Sequence, residues 1–79
     1  MHHPMLKGIN LERDPEQVLQ LMIEELHALA STPPDILHDH RPWLGKTRTA
    51  RYAEMRRCVR LISEALAHIQ RQDFKVVGV

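Results

Sequence analysis

The chain has a single cysteine, Cys58, so no intrachain disulfide can staple it. Glycine is scarce, at three residues, and the aromatics are only Trp43, Tyr52 and Phe74. A Gly-rich phosphate loop is therefore absent, and no row of rings is interleaved for stacking on bases. No apolar run approaches the roughly 20 residues of a membrane span, and the opening MHHPMLKGIN has no continuous apolar segment of the kind a secretion signal carries. One cysteine without an oxidative framework fits a reducing compartment, and the expected location is the cytoplasm. Excess charge is missing as well: the formal net charge is +1, which neither drives the chain onto nucleic acid nor keeps it away. No Ser/His/Asp set or carboxylate pair stands at a spacing that specifies a reaction, so the expectation is a non-enzymatic protein without a cofactor.

At 79 residues the chain is one domain with a small core. Without a disulfide, such a chain is helped by a metal or by self-association. Metal-ligand types do occur in His38-Asp39-His40, with Asp35 near and His2 and His3 at the start. A zinc site needs three or four converging ligands, and a His-x-His loop without cysteines is more often solvated. His38 and His40 are weak candidates, and self-association is the stronger expectation. His27 falls on a polar helix strip, and His68 sits beside an apolar seam near a helix end, where packing or a dimer contact suits it better than catalysis.

What the chain has in quantity is helical periodicity. Lys46 to Gln72 contains neither Gly nor Pro, and Tyr52, Met55, Val59, Ile62, Leu66 and Ile69 alternate at spacings of three and four, which keeps one seam of a helix facing a neighbour. Cys58, Leu61 and Ala65 form an apolar flank beside it, where a cysteine behaves as a small buried hydrophobe. Arg56, Arg57 and Arg60 fall on the wet face. Upstream, Asp14-Pro15-Glu16-Gln17 is a helix start: Asp14 as cap, Pro15 at the first position and Gln17 placed to close a capping box. That first helix carries Leu19, Met22, Leu26 and Leu29, and Thr32-Pro33-Pro34 stops it.

The spacing therefore predicts an all-α chain: an extended, partly mobile arm over 1–13, a helix over about 15–31, a connection over 32–46 and a second helix over about 48–72. The β-branched residues 74–79 read as an extended tail. The connection holds one short turn around Asp35 to His38, and Ile36, Leu37, Trp43 and Leu44 fold back over the bundle end. Leu6, Ile9 and Leu11 of the arm cover an open end of the core. Both helices are apolar over more than one side, which an isolated antiparallel hairpin cannot bury, so two hairpins are expected to pair into a dimeric four-helix bundle. Glu12, Asp14, Glu16, Glu24 and Glu25 stand against Arg13 alone in one segment, and Lys46, Arg48, Arg51, Arg56, Arg57 and Arg60 against Glu54 in the other. Such segments attract, although exposed pairs are each worth only about 0 to 1 kcal/mol. Arg60 and Glu64, one turn apart, are positioned to pair.

ARYAEM (Ala50 to Met55), LISEAL (Leu61 to Leu66) and FKVV (Phe74 to Val77) resemble the close of TraM-type quorum-sensing antiactivators, over about the last third of the chain. The resemblance implies a cytoplasmic, all-helical dimer of antiparallel hairpins that binds a LuxR-type transcription factor and keeps it off DNA, with no catalytic residues. Partner contacts would then come from the exposed face of the second helix and from the tail: Arg56, Arg57, Arg60, Phe74, Val76 and Val77, with Trp43 as a further anchor. Leu19, Met22, Leu26, Leu29, Tyr52, Met55, Cys58, Val59, Leu61, Ile62, Leu66 and Ile69 would make the core and the dimer interface. Two other readings stand beside this one. Arg48, Arg51, Arg56, Arg57 and Arg60 form a stripe that could meet nucleic-acid phosphates, and a short amphipathic hairpin could serve as a secretion co-chaperone.

Overall fold

A computed structural model describes the backbone of residues 3–77 and the side chains of residues 3–73. After a short 3-10 turn at Pro4–Leu6 come α1 (Pro15–Ser31), α2 (Pro34–His40) and α3 (Arg48–Val77). The described residues are all helical or irregular, with no strand among them. α1 and α3 pack along each other. They run antiparallel: residues 10–13, just before α1, lie with Leu61, Glu64 and His68, whereas Pro34 and Leu37, just after it, lie with Arg48 and Arg51. The hairpin is long and thin, 51 × 21 × 17 Å.

Local chemistry sets the helix limits. Pro15 occupies the first helical position of α1, where the missing N–H has no intrahelical partner to lose. The Asp14 side chain makes no cap bond to α1 and Gln17 closes no capping box; the carboxylate instead accepts from the Asn10 amide at 3.3 Å and from Arg13 Nε at 3.0 Å. That hydrogen bonding holds the Asp14 carboxyl below the usual carboxylate range, Arg13 being the larger cause. At the other end the Thr32 amide bonds back to Ala28, and Pro33 and Pro34 prevent a further turn. Pro34 then opens α2, a full seven-residue helix where a single turn was expected. Thr47 caps α3, its Oγ accepting from the Ala50 amide at 3.1 Å.

The two ends of the chain also differ from the sequence expectation. α3 continues through Phe74, Lys75, Val76 and Val77, over four of the six residues read as an extended tail, while residues 78 and 79 and the side chains of the others lie outside the described residues. An uninterrupted helix gives every one of those amides a carbonyl partner, which outweighs the modest β preference of two valines. The arm is folded rather than extended: Gly8, at φ +77°, turns it back, and Leu6, Ile9 and Leu11 pack on the core as expected.

The core is small. Among the described residues, Val18, Met22, Leu29, Leu37, Leu44, Cys58, Leu61 and Ala65 form the buried hydrophobic cluster. Leu37 and Leu44 fold over the hairpin end as anticipated, but Ile36 and Trp43 remain 49% and 39% exposed. Two carboxylates share this interior, Glu25 on α1 and Glu54 on α3. Arg41, just after α2, donates from Nε to both oxygens of Glu25 at 2.9 and 2.7 Å and from Nη2 to one of them, tying the connection to α1. The bidentate bonding to Glu25 raises the already high pKa of Arg41. Arg41→Ala leaves a carboxylate buried without its partner and is expected to cost about 3 to 5 kcal/mol in chemical denaturation. Replacing both members, Glu25→Leu with Arg41→Leu, should recover most of that loss.

Candidate functional site: an uncovered apolar face

Each residue of an α-helix advances about 100° around the axis, which places every side chain of α3 relative to α1. The row of α3 that meets α1 is Glu54, Cys58, Leu61 and Ala65, buried throughout. Cys58, Leu61 and Ala65 are the flank identified in the sequence, and Glu54 joins them. The main seam lies about 100° further round, turned away from α1. Tyr52, Val59 and Leu66 are 48%, 49% and 44% exposed, and Met55, Ile62 and Ile69 are half-buried at its edge.

α1 repeats the arrangement. Val18, Met22, Glu25 and Leu29 face α3, and Leu19, Ile23 and Leu26 lie about 100° on in the same rotational sense. In antiparallel helices both the direction of view and the direction of facing are reversed, so equal rotations bring the two rows to the same side. Together they make one continuous apolar face, with Ile23 50% exposed at its middle and Leu19 and Leu26 half-buried along its inner edge. Exposed large apolar side chains gathered on one side of a fold make that side a candidate interaction surface. The expected core and interface residues thus divide: Met22, Leu29, Cys58 and Leu61 form the intrachain core, and Leu19, Leu26, Tyr52, Met55, Val59, Ile62, Leu66 and Ile69 line the face.

The opposite side of the hairpin is occupied. The arm runs across it, enclosing a groove with Leu61, Glu64 and His68. Its anchor is His3, buried, whose Nδ1 accepts the Met5 amide at 3.1 Å and whose Nε2 donates to the Glu54 carboxylate. Trp43 packs edge-on against the imidazole, with ring centroids 5.6 Å apart at 81°. Trp43 therefore shields the anchor while part of its ring stays open to solvent.

His3, Glu54 and Cys58 bring three metal-ligand types within 4.8 Å of one another, a cluster that sequence spacing did not suggest. The hydrogen bonds argue for a different role. With Nδ1 accepting from a backbone amide, the imidazole proton is on Nε2 and is given to Glu54; a metal on Nε2 would push that proton onto Nδ1, against the Met5 N–H. The cluster is the arm's anchor. Among the described residues, neither His38 nor His40 joins a group of three converging ligands. His38 Nδ1 instead donates to the Leu44 carbonyl at 3.0 Å, and His40 is exposed. Burial, with the Glu54 and Glu25 charges, pushes the Cys58 thiol up to about 12, so it is a neutral core group and no nucleophile.

The arginines do not act as one stripe. Arg56 and Arg60 are exposed on the outer surface of α3, and Arg57 is half-buried with Nη1 3.9 Å from Glu54. Arg51 turns inward: its guanidinium lies 5.8 Å from the Tyr52 ring and its Nε is buried with no hydrogen-bond partner among the described residues. Arg60 and Glu64 are not among the ion pairs of the described residues. Glu25 of the acidic segment pairs with Arg41 after α2, and Glu54 of the basic segment pairs with His3 in the arm. Phe74, Val76 and Val77, expected to touch a partner, have side chains outside the described residues.

Comparison with family models, with curated proteins and with solved structures finds no match to this chain.

A thiol reagent at pH 8 is expected to leave Cys58 unmodified in the native chain and to react fully once denaturant is added. Because folding raises the thiol pKa from about 9 to about 12, its contribution to stability is complete below pH 9 and is lost as pH rises through that interval. Thermal melts at pH 8 and pH 11, compared with those of Cys58→Ala, check the sign: the fall in the native chain should exceed that in the variant.

Proposed function

We propose that the chain is a small non-enzymatic regulator that acts as a homodimeric helical bundle and sequesters a protein partner, with a LuxR-type transcription factor as the favoured target. The observation that carries this reading is the uncovered face, in which Ile23, Tyr52, Val59 and Leu66 are each 44% exposed or more on a fold whose own core is small. Apolar area of this kind gains stability when covered, at about 25 cal/mol per Å². Pairing two hairpins through that face leaves the outer surface of α3, with Arg56 and Arg60, free to steer a partner. The resemblance of the C-terminal third to TraM-type antiactivators supplies the class of partner, and the cytoplasm is the compartment in which such a partner is met.

The test is a displacement assay with a LuxR-type factor from the same genome, bound to its operator. The native chain should release the factor from DNA without binding the DNA itself. Arg56→Glu with Arg60→Glu should weaken the effect roughly tenfold, chiefly through slower association at low salt. Direct binding of the chain to operator DNA, with a steep salt dependence, would instead place its function in phosphate recognition.

A further inference from the structure

Extended by one step in each direction, the outward row of α3 becomes Arg48, Tyr52, Met55, Val59, Ile62, Leu66, Ile69 and Asp73. Both added residues are exposed, and both lie within the unbroken helix Arg48–Val77. The spacing runs four, three, four, three, four, three, four, and reads the same from either end. A row with that property can be laid antiparallel on a copy of itself with every position matched. Tyr52 then meets Ile69 of the second copy, Met55 meets Leu66, Val59 meets Ile62, and Arg48 at each end meets Asp73. In heptad terms each layer joins an a to a d position, as antiparallel knobs-into-holes packing requires.

The geometry points to a second copy of this chain as the occupant of the face, docked with the two α3 helices antiparallel about a two-fold axis between Arg60 and Leu61. Charge selects this arrangement over its reverse. In a parallel pairing Arg48 would face Arg48 and Asp73 would face Asp73, two like-charge contacts; the antiparallel register replaces them with two opposite-charge pairs. The solvent flank of the row, Thr49, Arg56, Ser63 and Gln70, has one charged residue, and in this register Arg56 lies beside Ser63 of the second copy, so nothing there opposes the match. The length of α3 suits it too. At 1.5 Å per residue, α1 covers about 25 Å of an α3 that is about 45 Å long, and the overhanging turns that carry Asp73 reach the Arg48 end of the other hairpin. Because the interface is isologous, it closes at two copies and leaves no repeating edge.

This inference rests on the reading of the face as a homodimer surface, and sedimentation of charge-swap variants separates the two. The native chain should sediment as a dimer and Val59→Asp as a monomer. Arg48→Glu and Asp73→Arg should each weaken the dimer roughly tenfold at low salt, since each turns two attractions into two repulsions. Combined in one chain, Arg48→Glu and Asp73→Arg should restore the native dissociation constant to within about threefold, as a cycle of paired charges requires. Circular dichroism of each variant confirms that the helices are retained, which the exposed positions of all three residues favour. A dimer broken by Val59→Asp but indifferent to the two charge reversals, or not rescued by combining them, overturns the register and leaves the face as a dimer surface. A native chain that stays monomeric at its highest soluble concentration overturns both.

Discussion

Two packed helices bury about one row of side chains each, yet α1 and α3 both carry two apolar rows. Every larger feature of the molecule follows from how that surplus is disposed. The row Glu54, Cys58, Leu61 and Ala65 is spent on α1, and Tyr52, Val59 and Leu66 are left on the surface beside Ile23. On the other side, where Glu64 and His68 make α3 more polar, the folded arm supplies cover instead. The two sides differ because an arm of about a dozen residues can line a mixed groove but cannot present the regular knobs that a heptad row demands.

The buried carboxylates give this arrangement its specificity. Glu25 and Glu54 occupy slots in otherwise apolar heptad rows, and each is matched to one group from a distant segment: Arg41 after α2 and His3 in the arm. Burying a charge is costly without its partner, so alternative packings of the arm or connection would strand it. The apolar contacts hold the helices together, and these two polar contacts select where the irregular segments go. In that sense the arm and the α2 connection are docked by chemistry rather than by shape alone.

Helix boundaries were legible because local rules set them: Pro15, Pro33 and Pro34 act within one turn of where they stand. The end of α3 lies beyond the sequence expectation because the β preference of Val76 and Val77 is weaker than the continuity of the helix, whose row already continues from Ile69 to Asp73. Glu25 and Glu54 count in the sequence only as members of the two charged segments. Their spacing, 18, 22, 25, 29 and 54, 58, 61, 65, matched the core rows, so the signal was present in position and hidden by polarity. The anchor at His3 is different in kind: it joins residues 51 apart, and nothing in the neighbourhood of either announces it. The same difficulty hid which of the two rows on α3 would face α1, because both have heptad spacing and only the buried Glu54 and the small Cys58 and Ala65 distinguish the inner one.

That last distinction explains why the larger residues ended outside. Cys58 and Ala65 are small enough for α1 to approach closely, and Val18, Met22 and Leu29 fill the space they leave. Tyr52, Met55, Leu66 and Ile69 are too bulky for such an approach, but they suit a wider interface between hairpins, where side chains interdigitate in layers. A chain with so few buried apolar side chains among its described residues gains little from its own interior, so covering the outer row would tie stability to protomer concentration. Folding and assembly would then be one equilibrium, and anything that competed for the same face would act on the stability of the chain.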